Sequence, residues 1–118
     1  YDLLEESMVQ TGRAVLSQHG LAEAPVDFQV GDAANCPLVS RFHAATSPSI
    51  LWLNDEEWPR ELRDHVKARA GRELSLGSVV VSYGPHQGPS VPGLELAGSL
   101  RAATSWCRAE EFHVWKRV

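Results

Sequence analysis

Three residues with chemically useful side chains each stand at the end of a short apolar run: Asp32, Asn54 and Tyr83. The runs are rich in β-branched and aromatic residues and are bounded by turn residues, as buried strands are. They cover residues 26–30, 49–53 and 78–82. If these strands are parallel, their carboxyl ends share one edge of a sheet, where ligands bind in open α/β folds. The sequence therefore predicts a ligand-binding edge that carries a carboxylate, an amide and a phenol.

The segments between and after these strands supply the elements that would hold such an edge. Residues 1–18 and the segment that begins at Pro59 have apolar residues at helical spacing, so each predicts an amphipathic helix. A helix between two strands indicates a parallel crossover. Residues 84–93 are rich in proline and glycine and predict a loop, which is long enough to cover a site. The last two strands, predicted at residues 94–106 and 111–118, would form an antiparallel hairpin.

Composition limits the classes of function. The chain has 118 residues, a formal net charge of −4 and 43% hydrophobic residues, which is typical of one globular domain. The acidic balance gives no strong nucleic-acid signal, and the basic residues between Arg60 and Arg72 fit a solvated helix face. No run is long enough to span a membrane, and no signal-peptide pattern is present. Two isolated cysteines are expected to be free thiols, which favours an intracellular, reducing compartment.

Several catalytic signatures are missing from the sequence. The five histidines have no pair at metal-ligand spacing, so we expect no metal site. Neither a Gly-x-Ser-x-Gly elbow nor a phosphate-binding P-loop occurs, which weighs against a hydrolase or a nucleoside triphosphatase.

Four segments together carry a family resemblance. Gly31-Asp32 resembles the Gly-Asp turn of class I S-adenosylmethionine-dependent methyltransferases. Residues 50–58 look like the strand and Asn-rich, aromatic motif of the disruptor-of-telomeric-silencing family of histone-lysine methyltransferases. Residues 77–82 are similar to the glycine turn and strand of that family. Thr104-Ser105-Trp106, followed by residues 112–115, is similar to its final Ser-Trp hairpin.

The resemblance implies a fold, a cofactor and a domain boundary. The fold would be α/β, the C-terminal half of a Rossmann-like class I methyltransferase sheet, with three parallel strands, helices and a terminal antiparallel hairpin. Residues 1–118 would be one partial methyltransferase core. The glycine-rich cofactor loop of the family and its ribose-binding acid are then expected upstream of Tyr1. We expect the isolated chain to bind S-adenosyl-L-methionine poorly and to be inactive.

The resemblance also assigns the cofactor-binding residues. Gly31, Asp32 and Ala33 would lie beside the adenine, and the Asp32 carboxylate would accept a hydrogen bond from the adenine amino group. The alternative for Asp32 is a turn in which the carboxylate bonds its own backbone. Ala33 stands where the family often has phenylalanine.

Asn54 is the predicted catalytic residue. Methyl transfer to an amine needs positioning and a neutral nitrogen lone pair rather than a strong base. The amide of Asn54, or its backbone carbonyl, could hold the amine. The alternative is that Asn54 belongs only to the start of the following helix.

The predicted substrate-binding residues are Asp55, Trp58 and Tyr83. Together with Glu56 and Glu57, the first two would form an acidic, aromatic mouth that attracts a cationic lysine or other amine. The alternative is that these acids only complement the dipole of the next helix. The other tryptophans are expected to be packing residues; they are Trp52, Trp106 and Trp115.

Two functional hypotheses follow. In the first, the chain is part of a methyltransferase of the cytoplasm or nucleus that N-methylates a lysine or another amine, with a basic protein as one candidate substrate. In the second, it is a non-catalytic interaction module that keeps the fold but has lost the cofactor. Departures from the family pattern at Ala33, Asp55 and Glu56 motivate the second hypothesis.

Overall fold

The computed structural model of the chain describes residues 2–26, 28, 31–39, 46–83 and 90–118, with side chains described from Glu6 onward. These residues form two helices and four strands: α1 (Asp2–Gln18), β1 (Ile50–Trp52), α2 (Arg60–Glu73), β2 (Val79–Tyr83), β3 (Leu94–Ala102) and β4 (Glu110–Arg117). The chain divides into two compact units, Tyr1–Cys36 and Pro37–Val118, and each is described by itself.

The first unit contains α1 and the chain that folds back along it. The predicted helix at residues 1–18 is confirmed, and Gly20, at φ 70°, follows its end in the left-handed conformation that glycine favours. Arg13 donates from Nη2 to the Phe28 carbonyl at 3.2 Å. A Cβ atom at Gly12 would lie only 2.8 Å from the Phe28 ring, so a larger residue here would displace that ring.

The strand predicted at residues 26–30 falls mostly outside the described residues. Val26 and Phe28 are described, and neither belongs to a strand. Asp27, Gln29 and Val30 lie outside the described set. The sheet of the described residues therefore has four strands, of which two are parallel.

The second unit is an α/β fold with a mixed sheet in the order β1-β2-β4-β3. β1 and β2 are parallel and are connected through α2, as the strand–helix–strand pattern predicts. β4 is antiparallel to both of its neighbours, so β3 and β4 form the predicted terminal hairpin. Within that hairpin the register shifts between Leu96 and Gly98, which marks a bulge in β3.

The core of this unit lies on both faces of β2 and β4. On one face, α2 buries Val66 and Ala70, two positions of the predicted apolar stripe, and brings Lys67 over the Trp115 ring. A strand alternates its side chains between faces, so the neighbouring residues of β2 and β4 point to the other side. They form a second cluster of Val81, Tyr83 and Phe112.

Two glycines bring α2 against the segment that precedes β3. A Cβ atom at Gly71 would lie 2.1 Å from the Pro92 carbonyl oxygen. Gly93, at φ 85°, is equally close to the backbone of Gly71, where a Cβ would lie 2.2 Å from its carbonyl oxygen. Backbone therefore packs directly on backbone at this contact.

Trp52 is a correction to the sequence interpretation. We expected a core residue, but the side chain is 55% exposed. β1 is an edge strand of the described sheet, so Trp52 has a neighbouring strand on one side only. Its ring contacts Phe112 at a centroid distance of 5.3 Å.

Three further expectations concern the chain as a whole. Cys36 and Cys107 are free thiols, as expected. In the described residues, no helix is long and apolar enough to cross a membrane. Most of the predicted 84–93 loop, residues 84–89, lies outside the described set.

Candidate functional site

An open cleft of about 680 Å³ lies beyond the carboxyl end of β1. Two of the residues that line it, Asn54 and Trp58, are predicted site residues. Among the described residues, its lining consists of Asn54, Glu56, Glu57, Trp58 and Trp106. The cleft therefore gathers one amide, two carboxylates and two indole rings, all from the second unit.

The end of β1 determines where Asn54 lies. Leu53 donates its backbone N–H to the Val81 carbonyl at 2.8 Å, which extends the pairing of β1 with β2 by one residue. The chain then turns, and Trp58 N–H donates to the Asp55 carbonyl at 3.2 Å. Asn54 is exposed between the last paired residue and this turn. Its amide is thereby presented to the cleft by a short, bonded loop.

A second turn presents Trp106 to the cleft. Thr104 N–H donates to the Cys107 carbonyl at 2.7 Å, and Cys107 N–H donates to Thr104 Oγ1 at 3.1 Å. The Trp106 ring contacts the Tyr83 ring at a centroid distance of 5.9 Å and remains 58% exposed. The expectation that Trp106 is only a packing residue is therefore wrong. The signal available in the sequence was its position in the Thr104–Cys107 turn, where an indole is easily presented to solvent.

The cleft has an electrostatic character that suits cations. Glu56 and Glu57 are exposed, and none of the five lining residues that the structure describes is basic. Tryptophan faces attract ammonium and guanidinium groups through the ring quadrupole. An acidic and aromatic cleft of this kind favours a positively charged side chain over a neutral one.

Asp55 and Tyr83 are buried and do not belong to the described lining of the cleft. Asp55 is completely buried, and its Oδ1 accepts the backbone N–H of Tyr83 at 2.9 Å. The Tyr83 ring is buried between Phe112, at a centroid distance of 4.8 Å, and Trp106. Both residues therefore support lining residues, and their predicted contact with substrate stays a prediction. Burial of Asp55 also takes it out of the predicted acidic mouth, because its carboxylate bonds the sheet.

Lys67 is a buried basic residue whose charge interacts with that of Asp55. Only 3% of it is exposed, and its Nζ lies 4.1 Å from the centre of the Trp115 ring. Burial lowers the pKa of Lys67 below its ordinary value of 10.5, and the negative charge of Asp55 opposes that shift. A buried cation therefore attracts the buried Asp55 carboxylate electrostatically.

The predicted cofactor residues belong to the first unit. Asp32 Oδ1 accepts the Ala34 N–H at 2.9 Å, and the Asp32 carbonyl accepts N–H groups from Asn35 and Cys36. This is the turn that was the alternative interpretation of Asp32. Gly31 and Asp32 are exposed, and Ala33 is half-buried. Their role toward a cofactor stays a prediction.

In the part of the chain that the structure describes, no group of three metal-ligating side chains comes together that could hold a metal ion. Comparison with protein-family models gives no match for the chain, and comparison with curated proteins gives none either.

Proposed function

We propose that residues 1–118 form part of the core of an S-adenosyl-L-methionine-dependent methyltransferase that N-methylates a lysine side chain or another amine. The observation that carries this proposal is the cleft in which Asn54, at the end of a parallel strand, meets two indoles and two carboxylates. The proposal includes the finer description of the fold, the C-terminal half of a Rossmann-like class I methyltransferase sheet.

The architecture of the second unit supports this description. A parallel pair joined by a helix and then closed by an antiparallel hairpin is the ending expected for that methyltransferase sheet. Asn54 and Tyr83 also end two neighbouring parallel strands, which is the usual place for a ligand in open α/β sheets.

The lining of the cleft supports an amine as the methyl acceptor. Glu56 and Glu57 would attract the protonated amine, and the rings of Trp58 and Trp106 would hold the carbon stem and the cationic head. Asn54 offers an amide oxygen that can accept an N–H from the same nitrogen. Because this oxygen is uncharged, it can orient the amine without stabilising its protonated form as strongly as a carboxylate would.

The chemistry required of these residues is modest. When bound, S-adenosylmethionine supplies an electrophilic methyl group on a sulfonium. The chain must deliver the amine as a neutral lone pair, aligned for in-line displacement. The open cleft allows the departing proton to reach water, after which Asn54 can hold the nitrogen in position. Positioning, rather than acid–base catalysis, is the contribution expected of this site.

The first unit offers a hydrogen-bond acceptor, the Asp32 carboxylate, that fits the adenine end of the cofactor. The Asp32 turn uses Oδ1 for the Ala34 N–H, and the residue is exposed, so Oδ2 can accept from an amino group. The turn would hold that oxygen in a fixed direction. Ala33, next to it, offers only a small apolar surface where the family often has an aromatic ring.

Methyl transfer to a lysine peptide tests this function. The full-length protein that contains residues 1–118 is incubated with S-adenosylmethionine labelled in its methyl group and with a lysine peptide. The matched control peptide has norleucine in place of lysine. We expect label only in the lysine peptide, and a loss of about tenfold or more in kcat for Asn54→Ala. Equal rates for Asn54→Ala and the unsubstituted protein would contradict the role of Asn54.

The alternative is a non-catalytic module with the same fold. The observations that favour it are the Asp32 carboxylate, which already serves its own turn, and the burial of Asp55. In that case the acidic cleft would bind a basic side chain of a partner protein without modifying it. Such a module binds the lysine peptide but gives no heat with S-adenosylmethionine.

A further inference from the structure

The side chain of Asp55 continues the pairing of β1 with β2 after the β1 backbone has left the sheet. Val79 N–H donates to the Ser49 carbonyl and Leu53 N–H to the Val81 carbonyl, the alternating pattern of a parallel pair. The next donor in this pattern is Tyr83 N–H, which in a regular ladder would reach the Leu53 carbonyl. It donates instead to Asp55 Oδ1 at 2.9 Å.

The surroundings of this hydrogen bond make it strong. Asp55 is completely buried, so water does not compete for its carboxylate. Hydrogen bonds to a charged acceptor are stronger than those between neutral groups, and more so in a region of low dielectric constant. Lys67, buried above Trp115, supplies positive charge that acts on Asp55. The second oxygen, Oδ2, is buried without a hydrogen-bond partner among the described residues, so the bond to Tyr83 is what orients the carboxylate.

We propose that Asp55 is a positioning residue that joins the two strand ends and fixes both walls of the cleft. On one side it is the direct neighbour of Asn54 and belongs to the turn that leads to Trp58. On the other side it holds the backbone of Tyr83, whose ring contacts Trp106. One buried hydrogen bond thus connects the wall that carries the amide with the wall that carries the exposed indole. As a determinant of ligand affinity, this role rests on the proposed function of the cleft.

Hydrogen exchange of single backbone amides tests the connection directly. In Asp55→Ala the Tyr83 amide loses its acceptor, whereas Leu53 keeps the Val81 carbonyl. We expect protection of Tyr83 to fall about tenfold or more beyond any change at Leu53. Asp55→Asn keeps an oxygen acceptor at the same place and should restore protection of Tyr83 relative to Leu53. If Tyr83 in Asp55→Ala stays as protected as Leu53, the proposal is overturned.

A core truncation separates this local effect from a general loss of stability. Val66, which is buried in α2, has no part in the Asp55 bond, so Val66→Ala should lower the protection of Tyr83 and Leu53 together. A selective loss at Tyr83 in Val66→Ala would also overturn the proposal, since the amide would then report packing alone.

Binding of a small lysine analogue distinguishes this proposal from the function of the cleft. The probe is N-acetyl-lysine methylamide, monitored by quenching of tryptophan fluorescence, with N-acetyl-norleucine methylamide as the neutral control. We expect about tenfold weaker binding to Asp55→Ala and near-normal binding to Asp55→Asn. If the unsubstituted protein does not prefer the lysine analogue, cation recognition by the cleft fails, while the exchange data still decide the role of Asp55.

Discussion

The ammonium of Lys67 lies 4.1 Å from the centre of the Trp115 ring, almost completely removed from solvent. α2 therefore does not pack on the sheet through aliphatic groups alone. The aromatic ring and the negative charge of Asp55 stabilise the charged form of Lys67. Burial destabilises that form by more, since the pKa of Lys67 is lowered overall.

The lowered pKa of Lys67 predicts how stability depends on pH. Above the folded-state pKa and below the ordinary value of 10.5, the unfolded chain binds more protons at this residue than the folded chain does. The free energy of unfolding should therefore rise with pH across this window. Urea denaturation at a series of pH values should show a smaller rise for Lys67→Met than for the unsubstituted protein.

The control for this measurement is Lys116→Met, because Lys116 is an exposed lysine of the same sheet. Its pH dependence should follow that of the unsubstituted protein. If the Lys67→Met and unsubstituted curves were parallel throughout the alkaline range, Lys67 would not be the residue responsible.

Gly71→Ala should destabilise the second unit even though it improves helix propensity. Alanine is favoured over glycine inside a helix by about 1 kcal/mol. Here, however, the added Cβ would lie 2.1 Å from the Pro92 carbonyl oxygen, so the helix and the segment before β3 must separate. Overpacking of this kind costs roughly 1–3 kcal/mol or more. We expect a lower thermal midpoint for Gly71→Ala.

The matched control is the variant Arg72→Ala, which changes the exposed residue next to Gly71. That substitution also places alanine near the end of α2 but adds no atom at the Pro92 contact. A Gly71→Ala protein at least as stable as Arg72→Ala would show that the close backbone contact is not required.

The elements of the second unit were largely predictable from the sequence, because apolar periodicity reports burial directly. The stripe on α2 and the β-branched runs at β1 and β2 predicted the parallel crossover, and the strand-like ending predicted the hairpin. The extent of the strands was harder to predict. β3 ends at Ala102 rather than at residue 106, since the Thr104–Cys107 turn uses the following backbone groups for its own hydrogen bonds.

The candidate site was predictable in position but not in the role of each residue. Asn54, which follows the second predicted strand, and Trp58, which precedes the next predicted helix, both line the cleft. Sequence alone could not show that Asp55 turns inward while Glu56 and Glu57 stay exposed, because all three are acids in one loop. The difference arises because the Asp55 side chain accepts the backbone N–H of Tyr83 at the end of β2. The exposure of Trp106 likewise depends on the Thr104–Cys107 turn, where the sequence pattern predicts the end of a strand.

Glu56→Gln combined with Glu57→Gln should weaken cation binding by the cleft without unfolding the protein. Both carboxylates are exposed, so their effect on an ammonium group is screened by solvent and salt. We expect about threefold weaker binding of N-acetyl-lysine methylamide at low ionic strength, and a smaller difference when salt is added.

The control for the cleft acids is Glu95→Gln, which removes an exposed carboxylate from β3. Its affinity for the lysine analogue should equal that of the unsubstituted protein. If Glu95→Gln weakened binding as much as the double variant, the attraction would come from net charge and not from the cleft.

The most direct test of the proposed methyltransferase is calorimetric titration of S-adenosylmethionine into the full-length protein that contains residues 1–118. We predict micromolar binding that Asp32→Asn weakens strongly. Asparagine keeps the oxygen that accepts the Ala34 N–H and so preserves the turn, but it replaces the second carboxylate oxygen with a donor. Glu23→Gln, at an exposed acid of the same unit, should bind normally. Absence of binding heat from the folded protein would contradict the methyltransferase account and support the non-catalytic module.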